Sequence, residues 1–221
     1  MRVKICGVTN VTDARAAADA GADFVGLILA ASPRQVSLET ARAIAAALPP
    51  KARPVLLFRD APTSEIVAAV ERTGVEWVQL HGREPVADVQ QLAVRLPDLR
   101  LIKAWEVRSA EPAELAAYLA QARAADLRLD ALILDAPKGG PHPGVAALAT
   151  LARAVRLRPP EVWCAGGLTP ENVAAVCAAG PFDGVDVAGG VERAPGQKDA
   201  VRMARFVTAA RAADGRRDAG V

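Results

Sequence analysis

Short runs of β-branched and aliphatic residues alternate with longer alanine-rich stretches of helical spacing from one end of the chain to the other. The runs at residues 3–6, 24–29, 54–58, 77–80, 100–103, 131–135, 161–165 and 184–187 predict eight strands. Helix signals separate them. Asn10 is placed as a cap, with Asp13 in the first turn of the helix it opens and Gly21 as its left-handed stop. Thr169, Pro170 and Glu171 supply a capping hydroxyl, a proline at the first helical position and a first-turn acid, and Gly180 ends that helix. Strand–helix units repeated about eight times are what closes a parallel barrel. The expectation is therefore an α/β fold, a single-domain (β/α)8 TIM barrel over residues 1–210, with residues 211–221 as a frayed tail.

Two alternatives are weaker. An open doubly wound sheet usually carries a glycine fingerprint after its first strand, and Cys6-Gly7-Val8-Thr9 cannot form one. Two small domains would need a linker, and the glycine- and proline-rich stretch 138–144 is only a loop of ordinary length after a strand.

Composition narrows the function classes. Of 221 residues, 52% are hydrophobic and only 4% aromatic, so the core must be built from Ala, Val, Leu and Ile. A net charge of +2, from 27 basic and 25 acidic residues that are scattered, gives no field to draw nucleic acid or an anionic membrane as a partner. The local exception is Arg211, Arg216 and Arg217 near the C-terminus, read as solvated. The N-terminus runs directly into a strand-like segment without a charged-then-apolar leader, and no window reaches the roughly 18 apolar residues of a membrane span, so a cytoplasmic enzyme is expected. Cys6, Cys164 and Cys177 are odd in number and lack CxxC spacing, against both a disulfide framework and a zinc site. His81 and His142 are the only histidines, too few for a metal cluster or a triad.

In a barrel the reactive groups sit at the C-terminal ends of the strands and in the loops that follow. Cys6 ends the first strand, and alternation puts it on one side with Lys4 while Val3 and Ile5 face the helices. It is either a general base of tuned pKa or a small buried hydrophobe. Asp135 follows four hydrophobic residues, where a carboxylate is costly unless it points into a polar site; it is either a catalytic acid or a turn residue before Ala136-Pro137. Gly166-Gly167 follows the seventh strand and Gly189-Gly190 the eighth, the two loops where barrels commonly hold phosphate on backbone N–H groups; tight turns are the alternative. Arg34, in Ser32-Pro33-Arg34 after the second strand, either pairs with a substrate carboxylate or is a solvated loop residue. His81 lines the site or packs, and Cys164 and Cys177 are read as structural.

These residues, in order, resemble a known family. Lys4-Ile5-Cys6-Gly7, Ser32-Pro33-Arg34, Gln79-Leu80-His81-Gly82, Ala165-Gly166-Gly167-Leu168 with Thr169-Pro170-Glu171-Asn172, and Gly190-Val191-Glu192 followed by Pro195, Gly196, Lys198 and Asp199 are similar to phosphoribosylanthranilate isomerase from residue 3 to about residue 208. The resemblance implies an Amadori rearrangement of an aminoaldose phosphate to an aminoketose phosphate in tryptophan biosynthesis, without metal or organic cofactor. It implies Cys6 as the general base at the sugar C2′, Asp135 as the general acid at the furanose ring oxygen, and Arg34 as partner of the anthranilate carboxylate. Gly166, Gly167, Gly189 and Gly190 would cradle the phosphate. The partner is then a small phosphorylated substrate, and the protein a monomer or homodimer.

The chain departs from the family pattern at Ala188-Gly189, where paired serines are common, in the loop at 139–144, at Phe58-Arg59-Asp60 where an asparagine is common, and before Ser32, where an aromatic is frequent. Three rivals stand beside this reading. A metal-dependent pentose-phosphate epimerase would want several strand-end histidines and acids. The synthase for indole glycerol phosphate would want a catalytic Lys–Glu pair and an extra N-terminal segment. A noncatalytic phosphate-binding barrel would have kept the fold and lost turnover.

Overall fold

In the computed structural model the strands form one closed, all-parallel ring. Residues 1–107, 113–136, 144–155 and 160–218 are described, with side chains only as far as residue 213. The strands are β1 (Arg2–Cys6), β2 (Phe24–Ile28), β3 (Arg53–Phe58), β4 (Trp77–Leu80), β5 (Arg100–Glu106), β6 (Ala131–Asp135), β7 (Glu161–Ala165) and β8 (Gly184–Val187). Each pairs with its sequence neighbour, and β1 pairs with β8 through Arg2↔Gly184, Lys4↔Asp186 and their neighbours. The helices are α1 (Val11–Asp19), α2 (Leu38–Ala47), α3 (Thr63–Thr73), α4 (Val86–Arg95), α5 (Ala113–Ala124), α6 (Gly144–Val155), α7 (Val173–Ala179) and α8 (Ala200–Asp218). A short antiparallel pair, β9 (Glu192–Ala194) and β10 (Gln197–Lys198), lies between β8 and α8.

Alternation along each strand divides the apolar residues into two cores. Val3, Ile5, Val25, Leu27, Leu56, Leu132 and Leu134 point outward and pack with helix residues such as Ala14, Ile44 and Phe206. Phe24, Val55, Ile102, Ile133 and Trp163 point inward and fill the barrel. Phe24 meets Trp77 edge-on at 4.8 Å and Trp163 at 5.0 Å, so an aromatic layer plugs the N-terminal half of the ring. Arg53 covers Phe24 and Trp77 from the N-terminal end, while Lys4, Gln79 and Asp186 are buried on the inner face.

Local signals act as the sequence suggests. The Asn10 side chain accepts from the Asp13 N–H at 2.8 Å, and Gly21 takes φ +94° after α1. Two expectations are corrected. The fifth strand continues past Lys103 to Glu106, because Trp105 keeps the outward alternation that the lysine interrupts. The helix expected from Pro170 starts at Val173: the Asn172 side chain accepts from Thr169 N–H at 2.8 Å and donates to the Gly167 carbonyl at 2.9 Å, tying residues 169–172 into the loop. The last helix runs through Asp218, and on it the exposed Arg211 donates to the Met1 carbonyl and, at 2.7 Å, to Asp23 Oδ2. No described helix is long and apolar enough to cross a membrane.

Gly184 tests the inner packing. A Cβ there would stand 2.7–2.9 Å from three atoms of the fully buried Trp163 indole. Gly184→Ala is expected to cost about 1–3 kcal/mol in guanidinium unfolding through overpacking. A variant as stable as the wild type would contradict this close approach.

Candidate active site

The C-terminal ends of the strands carry the polar groups. Cys6 ends β1 and Asp135 ends β6, three strand positions away round an eight-strand ring, so the two lie on different sides of one mouth. Asp135 is half-buried and its Oδ2 lies 3.1 Å from His81 Nε2. His81 follows β4, and its Nδ1 lies 2.9 Å from Gln79 Nε2. With the amide nitrogen on Nδ1, a neutral ring carries its proton on Nε2 and donates it to Asp135. The Gln79 Oε1 is buried without a hydrogen-bond partner among the described residues. His81 thus joins Asp135 to Gln79, a neighbour the sequence reading did not assign.

The Cys6 thiol is 5% exposed. Burial pushes its pKa up, while the cations of Lys4 and Lys198 oppose that and the Asp186 carboxylate adds to it. A thiolate in such a place is scarce but strongly basic. Cys164 is different: burial pushes it to about 12 with no opposing cation, in keeping with a structural role, and Cys177 is also buried.

Arg34 is held by a partner that the sequence did not reveal. Its Nε and Nη2 donate to Glu192 at 2.8 and 2.6 Å, and Glu192 Oε1 also accepts from Lys198 Nζ at 2.8 Å. Lys198 Nζ in turn donates to the carbonyls of Cys6 at 2.6 Å and Ala188 at 3.0 Å. One chain of charge-assisted bonds therefore joins the loop after β2, the hairpin β9–β10, the end of β1 and the end of β8. Gly7, at φ +71°, gives the arginine its place, since any Cβ there would overlap Arg34 Cδ. Nη1 keeps no partner among the described residues.

The four glycines bring the last two loops together. Gly166 and Gly167 take φ +90° and +63° after β7. A Cβ on Gly190 would overlap the Leu168 carbonyl, so the loop after β8 lies directly on the loop after β7. Ala188, where the family commonly has serine, uses its carbonyl to accept from Lys198. Asp60, after β3, adopts φ +50°, a left-handed conformation that Asp and Asn tolerate best, which accounts for an acid where asparagine is usual. Arg59, Asp60, His81, Lys103, Trp105 and Tyr118 line a cleft of about 680 Å³ on the β3–β5 side of the mouth. Nearly all of the altered loop at 139–144 lies outside the described residues.

A thiol, a carboxyl, an anchored guanidinium and two apposed glycine loops around one barrel mouth suit acid–base chemistry on an anionic small molecule. A profile of the N-(5′-phosphoribosyl)anthranilate (PRA) isomerase family matches residues 3–209. The chain belongs to that family. A relative from Halobacterium salinarum named N-(5′-phosphoribosyl)anthranilate isomerase is 42% identical, over 96% of each chain. The phosphoribosyl anthranilate isomerase of Thermus thermophilus superposes with a TM-score of 0.81 at 34% identity, covering 96% of this chain and 99% of that one. An isomerase of this family solved with reduced 1-(o-carboxyphenylamino)-1-deoxyribulose 5-phosphate gives 0.79 at 32% identity, with the same two coverages.

The anchoring role of Glu192 has a pH signature. Burial works against its charge, but the bonds from Arg34 and Lys198 win and hold its pKa below the ordinary 4.5. A carboxylate with a depressed folded-state pKa stabilises the fold above its unfolded pKa and loses that contribution as pH falls towards the folded value. Stability is therefore expected to fall on acidification below about pH 4.5, and Glu192→Gln should flatten that decline while costing about 3–5 kcal/mol at neutral pH by leaving the buried Lys198 and the half-buried Arg34 short of a partner. Denaturant midpoints measured from pH 3 to 7 check both effects.

Proposed function

We propose that the protein isomerises N-(5′-phosphoribosyl)anthranilate to 1-(2-carboxyphenylamino)-1-deoxyribulose 5-phosphate, with Asp135 as general acid and Cys6 as general base. The placement of Cys6 and Asp135 at the ends of β1 and β6, on different sides of the mouth, carries this reading. It lets one group act on the ring oxygen and the other on the sugar C2′ of one bound molecule.

The steps balance in protons and electron pairs. Asp135 gives a proton to the furanose ring oxygen as the C1′–O bond breaks, and the anthranilate nitrogen lone pair forms the C1′=N bond of an iminium. The Cys6 thiolate then takes the C2′ proton, the C–H electron pair becomes the C1′=C2′ bond, and the C1′=N π pair returns to nitrogen, which gives an enolamine. Tautomerisation, in which C1′ gains a proton and the C2′ hydroxyl loses one, gives the ketose. His81, bonded to Asp135, orients its carboxyl towards the mouth. One group must begin protonated and the other deprotonated; at Cys6 burial works against the thiolate, and the cations of Lys4 and Lys198 favour it.

Arg34 would take the anthranilate carboxylate on its Nη1 group, with Glu192 fixing the plane of the guanidinium. Gly166, Gly167, Gly189 and Gly190 would hold the phosphate with backbone N–H groups, which no Cβ shields. Three buried cysteines that form no disulfide support the cytoplasmic location expected of such an enzyme.

The assay is the loss of phosphoribosylanthranilate fluorescence, with the substrate generated in place. Cys6→Ala and Asp135→Asn are each expected to lower turnover by at least about a hundredfold. No loss above background with folded wild-type protein would leave a phosphate-binding barrel without this activity. Gly190→Ala, which drives a Cβ into the Leu168 carbonyl, is expected to raise KM about tenfold, the cost of roughly one displaced hydrogen bond to a charged group, with a smaller change in kcat.

A further inference from the structure

Cys6 shares the inner face of β1 with a charge. Lys4, two residues earlier, is fully buried, and its Nζ lies 3.0 and 3.1 Å from the two carboxylate oxygens of Asp186. Register brings this about: Lys4 is opposite Asp186 across β1–β8, and Cys6 is opposite Gly26 across β1–β2. The missing side chain of Gly26 leaves a niche that is filled from the other strand. A Cβ on Gly26 would stand 2.8 Å from the Cys6 sulfur and 3.0 Å from Lys4 Nζ. Sulfur and ammonium thus occupy the same space, and only glycine leaves room for both.

Stability alone does not explain such a pair. Desolvating two charges costs so much that apolar residues of similar volume often do as well or better. The layer below is apolar and aromatic, with Phe24 and Trp163 within it. The pair stands at the level where the barrel's chemistry begins.

We propose that Lys4 is a positioning residue for the base: its ammonium, anchored by Asp186, is the counter-cation against which the Cys6 thiolate forms and is held on the inner face of the barrel. This rests on Cys6 being the base. The C2′ proton passes to sulfur and the C–H pair to the new C1′=C2′ bond, while Lys4 keeps its proton throughout. Burial works against the Lys4 charge, but Asp186 and Cys6 raise its pKa above the ordinary value, so the cation persists over the working range. The other charges at the sulfur are Lys198, bonded to the Cys6 carbonyl, Arg34, packed over Gly7, and Glu192, which binds them both.

The test is the pH dependence of iodoacetamide alkylation at Cys6, followed on its peptide by mass spectrometry, beside the pH dependence of kcat/KM. Lys4→Met is expected to raise the alkylation midpoint by at least about one unit, move the acid-side limb of kcat/KM up equally, and cut kcat/KM about tenfold at neutral pH. Affinity for reduced 1-(o-carboxyphenylamino)-1-deoxyribulose 5-phosphate should not change. Lys4→Met/Asp186→Asn, which leaves no unpaired buried charge, serves if the single variant does not fold; its shift should be upward and smaller, because an anion that opposes the thiolate is removed as well. A midpoint that stays in place while kcat falls makes Lys4 a packing residue and overturns the proposal, with the base assignment intact. Wild-type turnover by Cys6→Ser overturns the base assignment itself and the proposal with it.

Discussion

Closure of the sheet is the constraint on which the rest of this structure depends. Once β1 pairs with β8, every strand has two neighbours, no edge is left, and the inward residues of all eight strands are stacked in layers. The register of that last pairing sets Lys4 against Asp186 and leaves Cys6 one layer higher, at the mouth. A slip of one residue would turn Cys6 and Lys4 outward among the helices and bring Val3 and Ile5 inside. The chemistry is a consequence of the ring's register as much as of its residues.

Charge-assisted bonds hold the loops at the top of the ring, above a layer of apolar and aromatic packing. Glu192 and Lys198 connect Arg34, the Cys6 carbonyl and the Ala188 carbonyl across elements far apart in sequence. Glu84 does the same for the loops after β3 and β4: it accepts from the Asp60 and Gly82 N–H groups and from Lys103 at 2.6 Å. These buried pairs contribute less to net stability than to fixing where loops leave the strands, which is what a reaction needing two groups at set positions requires.

The strands and the outward core were legible because a period of two and a period of 3.6 are local properties, and four of the eight strands have the expected ends. The fifth was cut short because Lys103 interrupts an apolar run, although its alternation with Leu101 and Trp105 continues. Cys6 and Asp135 could be picked out by their place at strand ends. The partners of Arg34, Lys4 and Lys103 could not, since each lies at least 19 residues away and is chosen by the closed fold. One signal was available: a lysine alternating with a cysteine on the inner face of the first strand has no reason to be there unless an acid meets it.

The central claim is that Cys6 removes the C2′ proton. Its most direct test is single-turnover conversion of N-(5′-phosphoribosyl)anthranilate carrying deuterium at C2′, by the wild type and by Cys6→Ser. The account predicts that the wild type slows on deuteration and that Cys6→Ser is slower by at least about a hundredfold with either isotope. Conversion of the deuterated substrate by Cys6→Ser at the wild-type rate would show that another group takes the proton, and would contradict the account.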